Sequence, residues 1–212
     1  MCSRCRDMFY CCQQHVARDW ERHRRLCVPA EGVEPRPITI DAILFHVDAT
    51  QPRMIKLACK VDRDNDPYTT SDIIHTLAMG DYFAKEPKDV RWFVPGGAGV
   101  VYASKPGYQL ILYHDDCSLI NGSPVNLCVQ ALTRGTSPHP WSGNIIGVRS
   151  ERPLTNCCRY YNASMEQDLT RLVDVFARYG TKSYAYEQNP VAKWGGRVKK
   201  LEYRKLKSSH VP

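Results

Sequence analysis

The chain has 212 residues, 43% hydrophobic and 24% charged, with a net charge of +7 and a mean hydropathy of −0.44. That composition excludes wholesale disorder, and the length allows one ordinary domain, or a small module beside a domain of roughly 150 residues. No apolar run approaches the ~18 residues of a membrane span and the N-terminus has no hydrophobic signal segment, so an intracellular protein, nuclear or cytoplasmic and not secreted, is expected. In a reducing compartment the ten cysteines are expected to serve metal ligation rather than disulfides. The glycosylation-like sequons at Asn121 and Asn162 are then chance matches.

The opening stretch, MCSRCRDMFYCCQQHVARDWERHRRLC, holds five of the ten cysteines and two of the seven histidines. Cys2 and Cys5 form a C-x2-C pair, a spacing at which a tight turn aims two thiolates at one ion. His23 and Cys27 stand at i and i+4 in RDWERHRRLC, which reads as a short helix presenting both side chains on one face. Two thiolates from a turn and a Cys/His pair from a helix make a Cys3His set suited to structural zinc. With all four positions filled by protein, no place is left for a catalytic water. Cys11 and His15 are again at i and i+4, with Cys12 beside them, and read as half of a second site.

These residues resemble the later part of a MYND-type zinc finger. The family pattern runs C-x2-C, a second C-x2-C, an aromatic followed by Cys, then Cys or His, Trp, His and Cys. Cys2, Cys5, Tyr10, Cys11, His15, Trp20, His23 and Cys27 match it, with Asp19 preceding the tryptophan. The resemblance implies two interleaved Zn2+ ions. Cys2, Cys5, His23 and Cys27 would hold one, while Cys11 and His15 would belong to the other, whose remaining ligand pair would precede Met1. Three explanations stay open: a fragment or misassigned start, a finger with one zinc, or completion of the half-site by Cys12, water or another chain. The likeness also implies that Trp20 packs on the finger helix between the metal sites, and that a groove on the finger binds short proline-containing peptides.

VPAEGVEPRP, residues 28–37, reads as a linker with three prolines. Ile43, Phe45 and Val47 alternate, as do Ile55, Leu57, Cys59 and Val61, with DATQPR between them, which predicts a hairpin. GVVYAS, YQLILYHDD and NIIGVRS are further strand candidates. PGGAG at 95–99 lacks the spacing of a phosphate loop and reads as a turn. PVNLCVQALTRG predicts a helix with Val125, Cys128, Val129 and Leu132 on one face. SMEQDLTRLVDVFARYG predicts another, with Ser164 and Gln167 as a capping box and Gly180 as a stop.

The expected architecture is a small zinc-stabilised finger with a short helix over residues 1–27, then an α+β domain over 38–189 with mostly antiparallel strands, then a basic tail over 190–212. Residues 193–212 carry seven Lys or Arg against one Glu. Segments DDCSLINGSPVNLCVQALTRGTSPHPWSGNIIGVR and ILFHVDATQPRMIKLACKV, with the helix near 164–180, also resemble the bodies of mostly fungal MYND-finger proteins. That likeness brings no biochemical activity with it.

The expected function is a zinc-binding, protein-interacting module without catalysis or a small-molecule substrate. MYND fingers also occur beside SET domains, which methylate lysines with S-adenosylmethionine. Here NCCRYYNA at 156 and SPVN at 123 lack the Asn-His motif of that class. A nucleophile at HDDC is weak, because His114 and Cys117 would face apart on a strand. Asp115 and Asp116 read as a turn or solvated edge. Cys59, Cys117 and Cys128 read as small buried hydrophobes, and His46, His75 and His139 receive no role. Two alternatives stay open: a SET-like lysine methyltransferase, and nucleic-acid binding through Arg18, Arg22, Arg24, Arg25 and the tail.

Overall fold

The computed structural model describes residues 1–33, 38–63, 73–83, 86, 88–93, 108–151 and 159–181. The expected strand GVVYAS, the PGGAG turn, the Cys157–Cys158 pair and the basic tail lie outside the described residues.

A single α-helix, α1 (Gln13–His23), belongs to the finger. Among the described residues the body forms a seven-stranded antiparallel sheet: β1 (Ile38–Phe45), β2 (Arg53–Arg63), β3 (Ile73–Leu77), β4 (Val90–Phe93), β5 (Tyr108–Asp115), β6 (Ile145–Glu151) and β7 (Tyr160–Tyr161). The spatial order is β3-β2-β1-β6-β5-β4. β1 pairs with β6 only through Ile43–Phe45, and β7 takes the same side of β6 further along, opposite Arg149 and Ser150. Two helices among the described residues, α2 (Leu127–Thr133) and α3 (Met165–Arg178), belong to the α+β body, and a 3-10 turn spans Gly80–Tyr82.

Period-two alternation explains the two faces of the sheet. Ile40, Ala42 and Leu44 of β1 and Leu57, Cys59 and Val61 of β2 point into one cluster, joined by Ile111, Ile146 and Val148. Phe83 and Tyr160 close that side, with Val28 packed against it from just beyond the finger. Ile43, Phe45, Leu110, Leu112 and Ile145 point the other way, under α2 and α3. Phe176 of α3 meets Phe45 edge-on, with ring centroids 4.9 Å apart. Gly147 lets α3 come this close, since a Cβ there would fall 2.7 Å from Leu172 Cδ1.

The expected hairpin is present, with Ile43 opposite Met54 and Ile38 opposite Cys59. Val47 lies beyond the strand, where its N–H donates to Asn144 Oδ1. Asn126 caps α2 by accepting from the Val129 N–H, while its amide donates to the carbonyls of Phe45 and Gly143. At α3 the box differs from the expected Ser164–Gln167 pair. Ser164 Oγ accepts from the Gln167 N–H at 3.4 Å, but the return bond comes from Asp168, whose carboxylate accepts the Ser164 N–H at 2.8 Å. Gln167 is drawn instead to Arg149, which also pairs with Asp168. Among the described residues no helix is long and apolar enough to cross a membrane.

Candidate metal centre

The knuckle forms because residues 2–6 close a tight turn: the Arg6 N–H donates to the Cys2 carbonyl at 3.0 Å, and the Cys2 N–H donates to Met8 at 2.7 Å. Arg6 completes the turn with a φ of 62°, a left-handed conformation that glycine adopts at lower cost. The backbone then leaves both thiols of the pair pointing inward. Cys2 and Cys5 are 9% and 3% exposed, and His23 and Cys27, arriving from the other side, are 4% and 0% exposed.

His23 is the last residue of α1, and Arg24 caps the helix. The helix therefore begins earlier than the sequence pattern suggests, at Gln13, and stops before Cys27. His23 and Cys27 are joined by a turn over 24–26, closed by the Leu26 N–H donating to the His23 carbonyl at 2.9 Å, and not by a shared helix face. The turn draws the short cysteine side chain inward, where a continued helix would stack it one turn along.

The four ligand atoms lie within 4.8 Å of one another. Cys2 Sγ is 3.8 Å from Cys27 Sγ, and Cys5 Sγ is 3.6 Å from His23 Nε2. A tetrahedron with Zn–S near 2.3 Å and Zn–N near 2.0–2.1 Å has sulfur–sulfur edges of about 3.8 Å and sulfur–nitrogen edges of about 3.6 Å. The donor set therefore fits such an ion in both chemistry and spacing. Burial alone would raise the Cys2 thiol, but the N–H groups of Cys5 and Arg4, then His23 and Cys27, hold it below its ordinary value. Cys27 is pushed up, first by burial and then by the neighbouring thiols. A cation held between such sulfurs favours their thiolate forms.

Around this cluster, Tyr10 OH donates to Asp19 at 2.7 Å, and Asp19 also accepts two bonds from Arg22. The Arg22 contact, followed by that of Tyr10, holds the Asp19 carboxyl below its usual range. The rings of Tyr10 and Trp20 each stand 6.0 Å from His23. Trp20 thus packs beside one ligand while remaining 37% exposed, and Phe9 is 75% exposed.

Cys11, Cys12 and His15 form a separate, exposed group whose ligand atoms also lie within 4.8 Å of one another. Cys11 Sγ is 2.8 Å from His15 Nδ1. Cys12 occupies the N-cap position of α1 without using its side chain to cap.

Sequence reasoning left His75 without a role, yet this residue joins the finger to the body. On β3, its Nε2 donates to the Arg25 carbonyl at 2.8 Å, and its Nδ1 accepts the Tyr160 N–H of β7 at 3.0 Å. Arg25 also lays its guanidinium 4.5 Å above the Tyr161 ring. Residues 28–33, part of the proline-rich stretch read as a linker, fold back: Val28 packs on the sheet and the Ala30 N–H donates to the Arg4 carbonyl. No local signal points to His75, because its partner is 50 residues away.

The remaining candidates lie in the body. Cys59 and Cys128 are fully buried, and burial pushes their thiols up to about 12 and about 11. Cys117 is only half-buried, in the turn after β5. Asp115 is buried and accepts bonds from the Asp89 N–H, the Cys117 N–H and the Asn121 amide, so it organises that turn. His114 packs against Trp141, with ring centroids 6.1 Å apart.

Residues 1–27 match the MYND finger family. Two curated relatives are similar in this region: Egl nine homolog 1 of Homo sapiens, 52% identical over 31 residues, and Egl nine homolog 1 of Mus musculus, 42% identical over 36 residues. The matches cover 15% and 17% of this chain and only 7% and 9% of those proteins. No solved structure matches. The likeness of the body to fungal MYND-finger proteins finds no support in these comparisons. The matched finger contains all six residues singled out as metal ligands.

Proposed function

We propose that the finger holds one structural zinc through Cys2, Cys5, His23 and Cys27, and that the protein serves as a protein-interaction module without catalysis. The observation that carries this reading is the set of four buried donor atoms within 4.8 Å of one another, with a sulfur–sulfur and a sulfur–nitrogen separation that match the edges of a zinc–thiolate–imidazole tetrahedron. Zinc here cross-links the knuckle to the end of α1. Its four positions are taken by side chains, so the centre offers no site for water or substrate.

The interaction role is supported by the match to a family whose fingers mediate protein contacts. The finger leaves Phe9 and Trp20 exposed, and aromatic side chains of this kind suit a proline-containing peptide. A peptide array of proline-containing segments, probed with the zinc-loaded protein and with Trp20→Ala, tests it. Binding lost in the variant at unchanged zinc content supports the reading, and equal binding refutes it.

The grouping of Cys11, Cys12 and His15 supports a second and weaker metal site with an open position, in which an ion would replace the direct 2.8 Å Cys11–His15 hydrogen bond. Zinc counted per chain tests this: two equivalents in the unsubstituted protein that fall to one in His15→Ala support it, and no His15-dependent zinc rejects it.

A further inference from the structure

The turn between two metal ligands is held from outside the finger. The finger's own buried cluster consists of Cys2, Cys5 and Cys27 with Met8 and Tyr10 packed against it, which is too little to fix the backbone of the 24–26 turn by packing. Three contacts from the body act on this stretch. His75 Nε2 donates to the Arg25 carbonyl, the Tyr161 ring lies under the Arg25 guanidinium, and Val28 sits in the sheet cluster. Arg25 stands between His23 and Cys27, so fixing its peptide and side chain fixes the separation at which those two ligands arrive. His75 is itself fixed by the Tyr160 N–H and by its place in β3, paired with Val61.

We propose that His75, a residue of the sheet, is a positioning residue of the finger's metal centre, and that metal retention is coupled to the local contact between the 24–26 turn and β3 and β7. The inference rests on the zinc reading above. A group that orients the backbone around a ligand commonly changes metal affinity by about 10–100-fold when lost. By reciprocity, the metal must equally tighten whatever holds His75, and the Tyr160 amide is the reporter for that.

The experiment follows zinc transfer from the full chain to an excess of a chromogenic chelator. His75→Leu leaves the Arg25 carbonyl and the Tyr160 N–H without this partner, and release at least about tenfold faster than in the unsubstituted protein is expected. His75→Gln keeps a donor at the position of Nε2 and should restore most of the difference. Leu172→Ala weakens the body on its far face, away from the finger, and should leave release unchanged. Release from His75→Leu at the unsubstituted rate overturns the proposal, as does equal acceleration by Leu172→Ala, which would reduce the effect to overall stability.

A measurement on the unsubstituted chain removes any dependence on the variants folding. Hydrogen exchange at the Tyr160 amide should accelerate at least about tenfold when zinc is withdrawn, and an unchanged rate overturns the coupling. Should the unsubstituted protein hold no zinc that depends on Cys5, the metal reading fails with it. Should it hold that zinc while His75 proves irrelevant, only the positioning role fails.

Discussion

Removing one knuckle thiol should unfold the finger and leave the body standing. In Cys5→Ala the cluster keeps Cys2, His23 and Cys27, but a three-ligand remnant cannot replace the closed four-ligand centre. Structural zinc supplies apparent binding free energies of about 10–16 kcal/mol in small fingers. Nothing else in this finger approaches that, since its buried cluster is three cysteines with two partly buried neighbours. The 11-residue α1 also falls short of the length at which isolated helices persist, about 12–15 residues. Without metal, α1 should melt. It supplies 11 α-helical residues against 7 in α2 and 14 in α3, so roughly a third of the helical signal of these elements should vanish. Far-ultraviolet circular dichroism and a chromogenic zinc count, on the unsubstituted protein before and after chelation and on Cys5→Ala, measure both quantities. Cys59→Ala, which removes a buried thiol from the body, should keep its zinc. A full helical signal after chelation, or an unchanged zinc count in Cys5→Ala, would refute the reasoning.

Asp168→Ala should destabilise the body by about 3–5 kcal/mol, because it leaves Arg149 and the Ser164 N–H without a carboxylate that is 0% exposed. Denaturant titration of the variant checks this, and a loss below about 1 kcal/mol would show the pair to be dispensable. Gly147→Ala should cost about 1–3 kcal/mol by driving a methyl group into Leu172, and the penalty should shrink when Leu172→Ala is added. Strict additivity in the double variant would deny the contact. Burial lowers the pKa of His114 and His139, both in the body, below the ordinary 6.5, so on acidification the unfolded chain takes protons first. Stability should therefore fall as pH drops through 6.5 and level out once the folded protein is itself protonated. Measured in the Cys5→Ala background to exclude metal release, the slope should be shallower in His114→Gln. An unchanged slope would remove that histidine from the account.

Much of the finger was legible because ligand chemistry is written in short spacings. The C-x2-C pair, His23 with Cys27, and Cys11 with His15 each lie within one or two turns of chain, and their grouping follows from local geometry. The same holds for the β1–β2 hairpin and for α3, where alternation and helical periodicity are the direct imprint of a half-buried element. The short strands β3, β4 and β7 escaped notice, since two to five residues carry too little pattern to register. The return bond of the α3 cap went to Asp168 and not Gln167 because Arg149, from a strand, claims the glutamine.

The sequence by itself determined which Cys and His residues of the finger group together, in a set of four and a smaller set, and the α+β character of the body. Only the tertiary structure decided how the ligands are brought together, through a turn after α1, and what holds that turn. His75 carries no sign of its role in the residues around it. A hydrogen bond to a backbone carbonyl recognises position and not side-chain identity, so nothing in the sequence near Arg25 or near His75 encodes the contact. It exists because the sheet pairs β3 with β2 and β7 with β6, and thereby sets an imidazole between the finger turn and β7.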